Sequence, residues 1–175
     1  TIRDEAVWHD GKKITPDDVI WTFNTLMEKG HPFYKYYYGD VLEAVKQSEN
    51  KVRFNFKNTT NLELILIVGQ LPVLPKHYWK DRNFEETTLE IPIGSGPYKI
   101  KDFDSGRSIT YELDPNYWGV NVPIKKGTEN FKIIRYEYYK DRSIEREGFK
   151  AGDIDFFSEN SSKEWATSYD TPAVK

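Results

Sequence analysis

The segment between Gly94 and Trp118 constrains the fold of this chain more than any other. A turn rich in glycine and proline opens it, and a short strand over Tyr98–Asp104 follows. The Asp104-Ser105-Gly106 turn leads into a returning strand, on which three apolar side chains share one face: Ile109, Tyr111 and Leu113. The Asp114-Pro115-Asn116 turn then presents an aromatic pair. The segment therefore predicts a β-hairpin that ends in aromatic residues.

Composition narrows the classes of protein to which this chain can belong. Its longest apolar run, Leu64–Val68, is far shorter than the roughly 20 apolar residues that span a bilayer. Its 25 basic residues nearly balance 28 acidic ones and form no basic stripe, so we expect no nucleic-acid partner. The chain contains no cysteine, which excludes disulfides, thiolate metal sites and cysteine nucleophiles.

Chemical signals for the ends of helices and strands place several elements in the first half of the chain. Thr15-Pro16-Asp17-Asp18 predicts a helix start, because it offers a hydroxyl cap and places carboxylates at the positive end of the helix dipole. Gly30 predicts the end of that helix. The alternation within Lys51–Lys57 predicts a half-buried strand. Further elements are expected as a strand over 1–8, a strand beginning in 41–45, a helix over 62–68 and a helical turn over 77–79.

The second half predicts a strand, a helix and another strand in succession. The first strand covers Lys132–Tyr139, the helix begins at Asp141 and stops at Gly152, and the last strand covers Asp153–Phe157. This order suggests a β-α-β unit with a right-handed crossover. The predicted fold class is therefore α/β, in the sense of a mixed α+β chain.

Residue patterns that carry catalysis or bind cofactors are scarce. The chain has no Gly-x-Ser-x-Gly, no Walker loop and no Gly-x-Gly-x-x-Gly. Its three histidines are far apart, and none has a second histidine or a cysteine one helical turn away. Asp153 and Asp155 would share one face of a strand, which leaves a hydrolase open as an alternative. We expect no enzyme activity, no cofactor and no metal.

Five aromatic side chains fall within six residues after the first predicted helix: Phe33, Tyr34, Tyr36, Tyr37 and Tyr38. This aromatic patch (residues 33–38) is expected to form a loop or a short helix. Alternating burial does not account for so many aromatics, so part of the patch is expected to face a ligand or another surface. Because only Lys35 supplies positive charge, a cleft for a peptide fits better than base stacking. Core packing and binding of a protein partner are the alternatives.

Three segments together resemble a known family. They are Trp8-His9-Asp10-Gly11-Lys12 with Ile14-Thr15-Pro16-Asp17-Asp18-Val19, Gly94-Ser95-Gly96-Pro97-Tyr98 with Asn116-Tyr117-Trp118, and Phe149-Lys150-Ala151-Gly152-Asp153-Ile154-Asp155. In this order they are similar to the signature elements of the extracytoplasmic solute-binding proteins of peptide ABC transporters. The run Arg135–Arg142 is similar to the YejA-like branch of that family.

The resemblance implies one lobe of a periplasmic binding protein-like II fold with two small subdomains, residues 1–78 and residues 79–175. Such proteins close two lobes on the ligand, so we expect this chain to be a fragment, with the second lobe outside it. The resemblance also implies oligopeptide ligands, ABC permease subunits as partners and contact with the membrane only through the permease. The implied location is periplasmic, or extracellular with a lipid anchor. A protein of the same fold that binds nickel, haem or a sugar is the nearest alternative.

The resemblance assigns candidate ligand contacts residue by residue. Phe33 lies where peptide binders place a cleft aromatic, and Tyr34 is its neighbour in the patch. Tyr136 lies on the strand that is expected to face the cleft. Three further residues follow Asp155, where the backbone of an extended peptide is expected to bind as an added strand: Phe157, Ser158 and Glu159. The signature residues are expected to be structural instead: Trp8, Asp10, Gly96 and Trp118.

Overall fold

The computed structural model of this chain describes residues 1–58 and 60–169. In chain order its elements are α1 Pro16–Lys29, α2 Pro32–Tyr37, β1 Val41–Ser48, β2 Lys51–Phe56, α3 Leu64–Gly69, α4 Lys76–Trp79, β3 Tyr98–Asp104, β4 Ser108–Leu113, β5 Ile133–Glu137, α5 Arg142–Ala151 and α6 Ser162–Ser168. None of the helices within the described ranges is long and apolar enough to cross a bilayer.

Contacts divide the chain into two units, and the division differs from the predicted boundary between residues 78 and 79. The chain beyond that boundary continues to pack with the first part, because the ring of Phe84 contacts that of Trp21 edge to face, at a centroid distance of 6.2 Å. Among the described residues, unit 1 comprises residues 1–58, 60–100 and 111–134, and unit 2 comprises residues 101–110 and 135–169.

Helix α1 begins and ends where its sequence predicts. The Asp18 carboxylate accepts hydrogen bonds from the backbone N–H and the hydroxyl of Thr15, each at 2.8 Å, and from the backbone N–H of Lys76 at 2.9 Å. One carboxylate therefore closes the first turn of α1 and also fixes the start of α4. At the other end Gly30 approaches the helix so closely that a Cβ there would lie 2.4 Å from the carbonyl oxygen of Leu26.

The hydrophobic core of unit 1 forms around α1, β1 and β2. Its buried members are Phe23, Tyr38, Val41, Ala44 and Leu64. The ring of Phe23 meets Tyr38 and Phe54 edge to face, with centroids 6.2 and 5.9 Å apart. Strand β1 pairs antiparallel with β2. The predicted alternation of β2 is confirmed, because its apolar side chains pack against this core: Val52, Phe54 and Phe56.

The predicted hairpin is confirmed as β3 and β4, which lie in a three-stranded sheet of order β3-β4-β5. The backbone N–H of Arg107 donates to the carbonyl of Asp104 at 2.9 Å and closes the tight turn. The predicted apolar face of β4 is only half-buried, whereas Ser108 and Thr110 on its other face are buried. The buried serine is satisfied because a guanidinium N–H of Arg135 donates to its hydroxyl at 3.3 Å.

In unit 2 the predicted helix is confirmed as α5. The Asp141 carboxylate accepts from the backbone N–H of Ser143 at 2.7 Å, and the helix ends at Gly152, whose φ of +85° favours glycine. The N–H of Asp153 bonds back to the carbonyl of Gly148 at 2.9 Å. Because the chain turns back there, the predicted strand over Asp153–Phe157 does not form, and the predicted β-α-β unit is wrong.

The predicted strand over residues 1–8 is also wrong. In this described stretch Val7 forms a single bridge with Lys13. The N–H of Trp8 donates to the carbonyl of Lys12, and the N–H of Gly11 donates to the carbonyl of Trp8, each at 2.8 Å. The N–H of Ala6 also donates to the carbonyl of Arg3 at 3.1 Å, so a turn interrupts the segment that was expected to form a strand.

Candidate ligand-binding site

The aromatic patch lies on helix α2 in unit 1. The Nδ1 atom of His31 accepts from the N–H of Phe33 at 3.2 Å and caps the helix. The rings of Phe33 and Tyr37 stack with centroids 4.8 Å apart, and those of Tyr34 and Tyr38 lie parallel at 6.1 Å. Two layers of stacked rings therefore form on one short helix.

These rings divide between the core and the surface. Tyr38 is 2% exposed and belongs to the core, and burial raises the pKa of its hydroxyl. Phe33 is 51% exposed and Tyr36 is 87% exposed, although both are large aromatic side chains. Tyr34 is half-buried and contacts Phe33 at a ring distance of 6.0 Å. The structure thus brings Phe33 and Tyr34 together, with one face of the pair on the surface.

The other candidate contacts lie in unit 2. Tyr136 is an exposed residue of β5. The half-buried ring of Phe157 lies 5.9 Å from that of Phe149, and the Arg142 guanidinium lies 4.8 Å above its centroid. Arg142 also donates a hydrogen bond to the carbonyl oxygen of Ser158. Two consecutive residues of an irregular segment are thereby held on helix α5.

Glu159, the last of the candidate ligand contacts, has a buried carboxylate with internal partners. Its carboxylate accepts from the N–H of Ser161 at 2.8 Å, the hydroxyl of Tyr169 at 2.9 Å and Nε of Arg146 at 3.0 Å. These donors, the Ser161 N–H foremost, lower the pKa of Glu159 to about 2. The Glu159 side chain is only 3% exposed, and both of its carboxylate oxygens accept hydrogen bonds. It is therefore suited to holding its segment in place.

Sequence reasoning missed the basic half of this arrangement. Arg142 and Arg146 lie one helical turn apart on α5, so both can reach the segment that follows the helix. The i,i+4 spacing of the two arginines was the available signal. The carboxylate partner of Arg146 lies beyond the turn at Gly152, and local patterns do not specify such a pairing.

The signature residues form a hydrogen-bonded scaffold in unit 1. The indole N–H of Trp118 donates to the carbonyl of Ser95 at 3.0 Å, and the hydroxyl of Ser95 donates to the carbonyl of Val7 at 2.9 Å. Nε2 of His9 lies 2.8 Å from the carbonyl oxygen of Gly96. An open groove of about 620 Å³ lies beside this scaffold. These contacts fit the structural role that was expected for the signature residues.

The structure offers little geometry for metal binding or hydrolysis. Within the described residues, no three His, Cys, Asp or Glu side chains are grouped so that they could hold a metal ion. Nε2 of His77 lies 2.8 Å from the Asp10 carboxylate, but no third ligand joins them in that part of the chain. Asp153 and Asp155 are both exposed on an irregular segment. The shared strand face on which the hydrolase alternative depended does not exist.

Comparison with known proteins gives a consistent result. Residues 1–175 match the family described as bacterial extracellular solute-binding proteins, family 5 Middle. The chain is 42% identical over 181 residues to the probable peptide-binding protein YejA of Agrobacterium fabrum, and 39% identical over 181 residues to the peptidoglycan-binding protein YepA of the same organism. Each alignment covers 99% of this chain and 29% of the relative, so the chain spans less than a third of these proteins.

A solved structure shows the same fold. The oligopeptide-binding protein AppA of Bacillus subtilis, in complex with a nonapeptide, superposes with a TM-score of 0.72 at 24% sequence identity. The match covers 93% of this chain and 32% of AppA. The predicted fold class, a mixed α/β part of a periplasmic binding protein-like II fold, is confirmed by this likeness.

Proposed function

We propose a function from one premise: this chain belongs to family 5 of the bacterial extracellular solute-binding proteins. The protein that carries it captures oligopeptides outside the cytoplasmic membrane and delivers them to the permease of an ABC importer. The observation that supports this most is the 42% identity, across nearly the whole chain, to a protein named as peptide-binding.

The exposed aromatic surfaces give this proposal a physical basis. A transporter of varied peptides binds the common backbone by hydrogen bonds and accepts different side chains on adaptable apolar surfaces. Phe33 with Tyr34, and separately Tyr136, present such surfaces. Phe157 and Ser158 lie in a segment outside the sheet, where backbone groups can pair with an extended peptide. We assign these five residues to ligand contact, with Glu159 as the support of the segment that carries Phe157 and Ser158.

No covalent step is required for this activity. Binding energy shifts the protein toward a closed form, and the closed form docks on the permease subunits. The protein then acts in the periplasm, or on the outer face of the membrane with a lipid anchor. Its contact with the membrane runs through the permease.

A peptide from the cell wall is the second candidate ligand. The YepA relative is named as peptidoglycan-binding and is nearly as similar to this chain as the peptide-binding YejA. Both ligands carry a peptide backbone, so the same contacts serve either. Nickel, haem and a sugar remain alternatives that the ligand test below separates.

The test starts with native mass spectrometry of the full-length protein purified under mild conditions. A ladder of added masses that match short peptides supports the proposal and shows the preferred length. One non-peptide mass keeps the fold and replaces the ligand. A protein that stays bare after addition of mixed peptides and cell-wall digests contradicts it, and favours an interaction module built on the aromatic patch.

Two neighbouring aromatics provide a matched pair of variants for this test. Phe33→Ala is expected to weaken peptide binding about tenfold, because an aromatic contact contributes roughly 0.5–1.5 kcal/mol beyond its buried area. Tyr36→Ala removes the more exposed ring of the same helix and is expected to leave affinity unchanged. Equal effects of the two substitutions would show that Phe33 makes no special contact.

A further inference from the structure

We propose that Arg146 is a positioning residue: its buried guanidinium fixes the segment Phe157–Asn160 in the conformation that binds ligand. The inference rests on the proposed function, because the ligand-contact role of Phe157 and Ser158 comes from there. It adds a residue that does not itself touch the ligand.

Arg146 joins three parts of unit 2. It projects from helix α5, and its Nε lies 3.0 Å from Glu159 in the segment after that helix. Its Nη1 lies 3.1 Å from Glu164 of helix α6. Only 10% of its side chain is exposed. A single guanidinium therefore fixes the distance between α5, the segment and α6.

The two carboxylates that pair with Arg146, those of Glu159 and Glu164, are themselves held by further hydrogen bonds. Glu159 uses both oxygens on internal donors, so its segment cannot rotate without breaking several hydrogen bonds. Arg146 is permanently charged, and Glu159, whose pKa is lowered to about 2, is ionised at neutral pH and stays ionised in mild acid. The hydroxyl of Ser168 also donates to Glu164 at 2.7 Å, which restrains the third member.

A buried ion pair of this kind adds little to stability compared with apolar side chains of similar volume, but its directional bonds select one geometry. The selected geometry is visible just before Glu159. There the ring of Phe157 lies under Arg142, and the carbonyl of Ser158 accepts from that same arginine. We infer that loss of the Arg146 fork releases this arrangement.

The experiment uses the full-length protein with Arg146→Lys, Arg146→Met and the double variant Arg146→Met/Glu159→Gln. Lys150→Met is the matched control, since Lys150 lies on the same helix and pairs with Glu147 at 2.9 Å away from the segment. Three quantities are measured for each protein: thermal unfolding, amide hydrogen exchange over residues 157–161, and affinity for peptides retained from a tryptic digest of casein.

Arg146→Met is expected to raise exchange of the segment amides and to weaken peptide affinity about tenfold, and Lys150→Met to change neither. Arg146→Lys is expected to recover affinity in part, because it restores the charge without the planar fork. The double variant separates positioning from stability, since it removes both buried charges. We expect it to regain thermal stability while peptide binding stays weak.

Two results would overturn the inference, and they differ in whether the proposed function also fails. If wild-type protein retains peptide and Arg146→Met or the double variant binds it equally well, Arg146 is structural and the proposed function stands. If wild-type protein retains no peptide from the casein digest or from a cell-wall digest, the proposed function fails and the positioning role fails with it.

Discussion

Substitution of Asp18 is the sharpest test of the contacts that stabilise unit 1. The Asp18 carboxylate accepts hydrogen bonds from the backbone N–H and hydroxyl of Thr15 and from the backbone N–H of Lys76. Asp18→Ala removes the acceptor of all three hydrogen bonds from a buried site. Asp17→Ala is the matched control, because Asp17 occupies the same helical turn and is exposed.

The expected loss in free energy of unfolding depends on which of the three donors can form a hydrogen bond with water instead. The hydroxyl of Thr15 can rotate toward solvent and costs little. Two backbone N–H groups lose their partner, at about 1–3 kcal/mol each. Loss of the charge near the positive end of α1 adds about 0.3–1 kcal/mol, and this last contribution is all that Asp17→Ala loses. We therefore expect Asp18→Ala to reduce the free energy of unfolding by about 3 kcal/mol and Asp17→Ala by less than about 1 kcal/mol.

Equilibrium urea unfolding followed by tryptophan fluorescence measures this difference. Native-state hydrogen exchange adds a local readout, in which the Lys76 amide should lose protection in Asp18→Ala and keep it in Asp17→Ala. Equal destabilisation by the two variants, within about 0.5 kcal/mol, would refute the assignment. It would mean that Asp18 acts only through its charge at the helix end and that its hydrogen bond to α4 adds nothing.

Three further predictions concern the core, a turn and pH. Phe23→Ala should lower the free energy of unfolding by about 3–5 kcal/mol in urea titrations, because it leaves a cavity beside Tyr38 and Phe54. Gly152→Ala should cost about 1–2 kcal/mol in the same assay, since φ there is +85°. The Glu159 pKa is about 2 in the folded state against an ordinary 4.5, so its stabilisation is complete above about pH 4.5 and is lost as pH falls toward 2. Glu159→Gln should flatten that part of the stability profile.

Elements with chemical end signals could be predicted from the sequence. Helix α1 starts at the Thr15 cap and ends at Gly30, and helix α5 runs from the Asp141 cap to Gly152. In each case a capping side chain bonds the first turn, and a glycine allows the close backbone approach that ends the helix. Distant residues are therefore not needed to fix the ends. The hairpin turn at Asp104 was predictable for the same reason.

Elements that depend on distant partners could not be predicted from the sequence. Asp153–Phe157 alternates like a strand, but a strand requires a neighbour, and the backbone after Gly152 turns back on α5 instead. The burial of Ser108 on the other face of β4 could not be predicted, because the Arg135 side chain that bonds its hydroxyl lies on another strand. The burial of the Glu159 carboxylate could not be predicted either, because it depends on Arg146, which lies on the far side of the same turn.

The aromatic patch shows a different limit of sequence reasoning. A helix normally reveals its buried face through the spacing of apolar and polar residues. Five aromatics in the six positions from Phe33 to Tyr38 remove that contrast, so the phase of the helix could not be read. Packing determines it: Tyr38 enters the core beside Phe23, and the same rotation leaves Phe33 and Tyr36 outward. The core therefore does not require the exposed rings of the patch. Their exposure is the physical argument for a ligand at Phe33.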